Sequence, residues 1–332
     1  MRVTAFRPRH LILAGLSTAA LAVLVTPPHL LGDRVAEALE GLGDAQPVWL
    51  WGAALLFVSM HALAGLSWCV ALRAGGTHVD AADAIARYGV GSALNALAPA
   101  HLGSAVRVAL FTRIAGEGGL WRVGGACAVV GSVRAVWLAL LVMLAAGTGV
   151  VPAWPLALIA LAVVVAGAVA FVARRVTLHS RVAPVLDAFR GLRPVTLLSI
   201  GAVTLAAVCA KVLAVAAVLA SLGIDNPLRA ALVVVPAVEL AAVMPITPGN
   251  AGVASAAVAF ALGALGVAGE TALAAGIAFG AVETLASASI GAAGALALAG
   301  PLARPVFRLA AAGAAMTAIA LTFSVTVVLP VL

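Results

Sequence analysis

The stretch WPLALIALAVVVAGAVAFVA, residues 154–173, contains no ionisable side chain. About 20 such residues are enough to cross a hydrocarbon core. A helix at the surface of a soluble protein would need a polar face, and this stretch has none. Similar stretches recur along the chain at about 11–27, 48–72, 123–150, 155–173, 195–222, 271–299 and 307–329. The expected fold class is therefore an all-α polytopic membrane protein with about seven spanning helices. Composition agrees: of 332 residues, 64% are hydrophobic and 9% charged, where soluble domains carry about a quarter charged residues. Mean hydropathy is +1.19. The first stretch follows Arg2, Arg7 and Arg9 as a signal peptide would, but it lacks a convincing small-residue cleavage site. It reads as a retained helix.

Two further apolar stretches, about 84–112 and 228–267, are interrupted by Pro and Gly. Each reads as a hairpin that enters and leaves on one side of the membrane, with two full spans as the alternative. With the N-terminus inside, fifteen arginines, from Arg2 and Arg7 through Arg304 and Arg308, fall in inner segments. Arg34 and Arg229 fall outside, which is the bias of the positive-inside rule. The first outer loop is acidic, with Asp33, Glu37, Glu40 and Asp44. The expected location is the cell membrane, multi-pass, with a cytoplasmic N-terminus.

The order of elements then repeats. After an N-terminal helix and outer loop (1–47), one set covers 48–173, a cytoplasmic connection covers 174–194, and a second set covers 195–332. All belong to one integral membrane domain. The sets start on opposite sides, and their hairpin tips share Pro-x-x-x-Gly: Pro99 to Gly103 and Pro248 to Gly252. Two oppositely oriented hairpins in an inverted repeat are the expectation, and such repeats place substrate sites near mid-membrane between broken helices.

Free backbone groups find no partner in lipid, so irregular backbone there must be buried in protein or line a wet cavity. Residues 98–104 and 247–255 are thus candidate cavity walls, with Pro99, His101, Gly103 and Ser104 on one and Pro248, Gly249, Asn250, Gly252 and Ser255 on the other. Asn95 and Asn250 can bond the freed backbone. Helix N-termini restarting after Gly suit a phosphate or carboxylate. Four charges lie inside apolar stretches: Arg134, Lys211, Glu239 and Glu283. Such charges face the protein interior and pair. Two bases and two acids permit two neutral pairs, with Lys211 suited to Glu239 or Glu283; a role in substrate or proton handling is the other reading. Arg107 could clamp a phosphate or serve as a snorkelling anchor. His61 reads as a helix–helix contact outside the site.

Other chemistry finds no support. HExxH, GxSxG and Walker motifs are absent. Cys69, Cys127 and Cys209 lie in apolar stretches without CxxC spacing and read as packing residues. The net charge of +7 does not imply nucleic acid, because basic and aromatic residues do not interleave. No cofactor and no metal is expected, and no catalytic residue is assigned.

Asn95-Ala-Leu-Ala-Pro99-Ala-His-Leu-Gly103-Ser-Ala-Val-Arg107 resembles an Asn…Pro…Gly-Glu…Arg stretch of the lysylphosphatidylglycerol synthase transmembrane-region family. Pro245-Ile-Thr-Pro248-Gly249-Asn-Ala-Gly252-Val253 is similar to that family's Pro-x-Pro-Gly-Gly-x-Gly-Val stretch. With the hydropathy layout, the resemblance covers about 48–300. It implies a flippase-like, stand-alone member without the synthase domain, so aminoacyl transfer is not expected. Ser104 stands where the family has Glu; Ala254 and Ser255 follow Gly-Val where it has another Glu; Glu283 stands where an Arg is expected. These departures imply a different lipid headgroup. The expected function is a lipid transporter or flippase, not an enzyme, moving a phospholipid or polyprenyl-phosphate-linked lipid between leaflets. A secondary transporter of a small solute and a scaffold for a lipid-modifying enzyme are the rivals. Expected partners are membrane lipids, with a lipid-modifying enzyme or a second copy as candidates for assembly.

Overall fold

A computed structural model describes residues 45–97, 102–116, 118–147, 192–242 and 251–299, together with Gly43. The expected spans 11–27, 155–173 and 307–329, most of the 174–194 connection, and the tip residues Pro99, His101, Pro248, Gly249 and Asn250 lie outside the described residues.

Among the described residues there are eight helices and no strand. They are α1 (Pro47–Ala74), α2 (Ala81–Leu97), α3 (Leu102–Thr112), α4 (Gly119–Gly147), α5 (Pro194–Ser221), α6 (Pro227–Ala241), α7 (Ala251–Ala264) and α8 (Gly269–Leu298). Four of them, α1, α4, α5 and α8, have 28 to 30 residues and are apolar enough to cross a membrane. At 1.5 Å per residue each is about 42–45 Å long, against a hydrocarbon core of about 30 Å. This is a polytopic all-α membrane protein, and these four helices fall on the expected spans 48–72, 123–150, 195–222 and 271–299.

Each broken stretch forms two shorter helices. In the first, α2 and α3 lie antiparallel and are tied at three levels. Arg87 donates to the Leu110 carbonyl at 2.8 Å, Arg107 to Ser92 Oγ at 3.1 Å, and the Ser104 amide to Asn95 Oδ1 at 2.9 Å. The helices meet this closely because Gly103 has no side chain: a Cβ there would overlap the Gly91 carbonyl and the Asn95 backbone. In the second, α6 packs on α7, and Pro236 inside α6 removes one helical hydrogen bond.

The two halves share local construction. Helices α1 and α5 both open with Pro at the first turn, where its missing N–H costs nothing. Both close with a left-handed glycine, Gly76 (φ 81°) and Gly223 (φ 68°). There the Thr77 amide bonds Leu72 and the Ile224 amide bonds Leu219, the Schellman pattern that satisfies terminal carbonyls. The main helix contacts also map onto each other when α1–α4 are exchanged with α5–α8. Helix α1 packs on α5; α2 on α8, as α6 on α4; α7 on α8, as α3 on α4.

Two apolar clusters form the interior. One gathers α1, α2, α3 and α4 around Trp68, Phe111 and Val123, with Trp68 stacked on Phe111 at 5.1 Å. The other gathers α5 to α8 with the α1 face carrying Phe57, whose ring meets Phe279 edge-on at 5.7 Å. Without a hydrophobic driving force between helices in lipid, close packing depends on small residues. The α2–α8 contact shows this: Gly294 admits the Ala86 backbone, and Gly291 admits Ala93. Val136, Leu140 and Leu144 on α4 are exposed, consistent with an apolar surrounding.

Candidate functional site

The charges within the apolar stretches converge. Arg134 lies midway along α4, Lys211 on α5, Glu239 near the end of α6 and Glu283 midway along α8. One carboxylate oxygen, Glu239 Oε1, accepts from both the Arg134 guanidinium and the Lys211 ammonium, the latter at 2.9 Å. Lys211 Nζ also lies 3.4 Å from Glu283 Oε1. Instead of two separate neutral pairs, the four form a chain, Arg134–Glu239–Lys211–Glu283. Lys211 pairs with both acids suggested for it. Isolated charges at this depth would be costly, and the chain offsets that cost with alternating signs.

Arg134, Glu239 and Lys211 border a cavity of about 190 Å³ between α1, α2, α3, α4, α5 and α6. Arg107 from α3 lines the same cavity. Its guanidinium carbon sits 3.9 Å from the centroid of the Tyr88 ring, within cation–π range, and a terminal nitrogen donates to Ser92 Oγ. Arg107 Nε is buried against Gly91 and has no hydrogen-bond partner. Ser67 and Thr204, hydrogen-bonded to each other at 3.2 Å, add hydroxyls to the wall. Trp68, Val130, Leu138 and Val235 supply apolar lining.

The remaining expected residues take other places. Asn95 holds the start of α3, accepting from the Ser104 amide and donating to Ser104 Oγ at 3.1 Å. It bonds the freed backbone, and neither it nor Ser104 borders this cavity. Gly252 and Ser255 are not brought to it either: the Ser255 backbone packs into the space left by Gly276 on α8. The second broken stretch contributes Glu239 and Val235 instead. His61 donates to or accepts from Ser287 Oγ at 2.9 Å, joining α1 to α8 away from the cavity wall. Of the three cysteines, Cys69 is buried as a packing residue would be. Cys127 and Cys209 are exposed, so the packing expectation fails for both, and Cys127 lies on the cavity wall.

Tyr88 was not singled out from sequence. It is the chain's single tyrosine and lies in the first broken stretch, which is the signal that could have drawn attention to it. Its contact with Arg107 depends on how α2 and α3 fold back, which residue spacing does not give.

The profile describing the lysylphosphatidylglycerol synthase TM region matches residues 12–291. The chain belongs to this family. Comparison with curated proteins and with solved structures gives no match. The lysylphosphatidylglycerol synthase TM region is a family of membrane domains associated with lipid handling. Where the family resemblance implies an Arg in the first broken stretch, Arg107 lies at the cavity. Where the family resemblance implies an acid after Gly103, Ser104 satisfies Asn95 instead. Where it implies an Arg in the last described span, Glu283 balances Lys211.

Proposed function

We propose that this protein is a lipid transporter that moves a phosphate-bearing lipid between the leaflets of the cell membrane and catalyses no covalent step. The observation that carries this reading is Arg107, a cavity-lining guanidinium with no carboxylate partner among the described residues, held only by the Ser92 hydroxyl and the Tyr88 ring. A phosphate oxygen is the acceptor that a guanidinium fork fits. The cavity, at about 190 Å³, is below the ~300–1,000 Å³ of sites that engulf drug-sized ligands. It has room for a headgroup, so acyl chains stay in the bilayer.

In this reading the two halves are inverted repeats, the two broken stretches are re-entrant hairpins, and the N-terminus is cytoplasmic. The matched ends of α1 and α5 and the exchangeable helix contacts support the repeat. Helix lengths of 17, 11, 15 and 14 residues for α2, α3, α6 and α7 support re-entry, since about 20 residues are needed to span. Arg134–Glu239 joins α4 of the first half to α6 of the second. An arriving phosphate competes with Glu239 for Arg134 and so loosens one half from the other, while Lys211 stays balanced by Glu283.

The test is transbilayer movement of headgroup-labelled phospholipids and polyprenyl-phosphate lipids in proteoliposomes of the full chain. Acceleration that falls in Arg107→Gln is expected. Movement no faster than in protein-free vesicles for every lipid tried would sink the proposal. Uptake of a soluble anion without lipid movement would favour the small-solute reading.

A further inference from the structure

Among the described residues, three cationic side chains and one acid, Glu239, line the cavity, and Glu283 reaches one of those cations, Lys211, without lining it. Glu239 and Glu283 are engaged by Arg134 and Lys211, which leaves one positive charge. The geometry says which residue holds it. Arg107 has no carboxylate partner among the described residues; its contacts are the neutral Ser92 hydroxyl and Tyr88 ring. Because its Nε lies against Gly91 without an acceptor, the guanidinium forfeits no hydrogen bond from that donor when it turns toward an arriving anion. His61, the other titratable group at this level of α1, bonds Ser287 outside the cavity wall.

We propose that the cavity selects a lipid phosphodiester of one net negative charge, such as phosphatidylglycerol, with Arg107 as its anchor. This rests on reading the cavity as a lipid headgroup site. One diester charge neutralises the excess at Arg107. A phosphomonoester dianion brings a second charge that no described residue at the cavity balances, and uncompensated charge in a low-dielectric site is costly. A zwitterionic or aminoacylated headgroup brings an ammonium beside Arg107 and the partly exposed Arg134, a like-charge contact that strengthens as the dielectric falls.

The test uses purified full-length protein in detergent micelles with fluorescent phosphatidylglycerol bound. Displacement is measured with unlabelled phosphatidylglycerol, phosphatidylethanolamine, phosphatidic acid and lysyl-phosphatidylglycerol, and with the soluble glycerophosphoglycerol and inorganic phosphate. Phosphatidylglycerol is expected to displace at least about tenfold more strongly than the zwitterionic and cationic lipids, the scale of one charged hydrogen-bonded contact. Arg107→Gln should erase that preference. Glu283→Gln, which raises the excess to two, should shift preference toward phosphatidic acid. If Arg107→Gln does not fold, Arg107→Lys tests the same point: charge preference persists while affinity falls.

Equal displacement by phosphatidylethanolamine and phosphatidylglycerol overturns the proposal, as does unchanged preference in Glu283→Gln. Displacement by inorganic phosphate as strong as by phosphatidylglycerol also overturns it, marking a site for free anions. Selective binding in a protein that moves no lipid would uphold this inference and sink the transporter reading. Movement of zwitterionic and anionic lipids alike would do the reverse.

Discussion

The guanidinium of Arg107 rests on the ring of Tyr88, with 3.9 Å between Cζ and the ring centroid. Both residues border the cavity, but one comes from α3 and the other from α2. The ring holds the cation without neutralising it, which keeps its charge available to a ligand.

Replacing the ring therefore weakens ligand binding more than trimming its hydroxyl. Tyr88→Leu is expected to lose about 2 kcal/mol, the scale of a desolvated cation–π contact, and Tyr88→Phe less. Displacement of fluorescent phosphatidylglycerol from the two variants checks the order. Equal losses would show that the ring face does not hold Arg107.

Glu239 serves two cations through one oxygen. Glu239→Gln strands Arg134 and leaves Lys211 with Glu283 alone. Breaking a buried ion pair from one side costs about 3–5 kcal/mol, and the partial exposure of Arg134 puts this site at the lower end. The double variant Arg134→Gln/Glu239→Gln should recover part of the loss, because Arg134 is no longer stranded and Lys211 keeps Glu283. Thermal unfolding in detergent of the singles and the double measures this coupling. Additive losses would mean that the two side chains do not interact.

Gly103 tests the closeness of the α2–α3 hairpin. Gly103→Ala puts a Cβ into the Gly91 carbonyl and the Asn95 backbone, and the helices must separate. Overpacking of this kind costs about 1–3 kcal/mol. Gly263→Ala on α7, where a Cβ meets open space, should be neutral or stabilising, since Ala is the better helix former. Comparing the melting temperatures of the two variants decides it; a harmless Gly103→Ala would contradict the packing described.

Asn95 and Ser104 are joined by two bonds of unequal importance. Asn95→Leu leaves the Ser104 amide without its acceptor, a loss of about 1–3 kcal/mol for a buried donor. Ser104→Ala removes one hydroxyl acceptor and should cost less, about 1 kcal/mol. Amide exchange at the start of α3 should rise in Asn95→Leu and stay near its original rate in Ser104→Ala.

Cys127 reports on the cavity it borders. In a Cys69→Ala/Cys209→Ala background, an anionic methanethiosulfonate should modify it faster than a cationic one, after normalising each to a free thiol. Like charges repel more strongly where the dielectric is low, so the uncompensated cation at Arg107 slows the cationic reagent. Arg107→Gln should remove the difference. A cationic reagent that reacts faster in the unaltered chain would show that the local charge is not positive.

Much of the fold was readable in the chain itself. Hydropathy is a local property, so apolar runs such as 195–222 declare a spanning helix without reference to anything else. Proline and glycine are equally local, and they mark where α1 and α5 begin and end and where 84–112 and 228–267 break. Arg134, Lys211, Glu239 and Glu283 stood out because a charge in an apolar run is expensive wherever the run ends up. That cost required partners, and the sign balance suggested them. What spacing could not supply was which carboxylate oxygen is shared, that Arg107 meets Tyr88, or that Ser255 packs on α8 while Glu239 joins the cavity. Those contacts bring together residues far apart in the chain, and they follow from how closely particular small residues let helices approach. The sequence by itself determined a helical membrane protein with charges that had to be paired; the tertiary structure decided which one was left over, because only packing brings Arg107, Arg134, Lys211 and Glu239 around one space and sets Glu283 against Lys211.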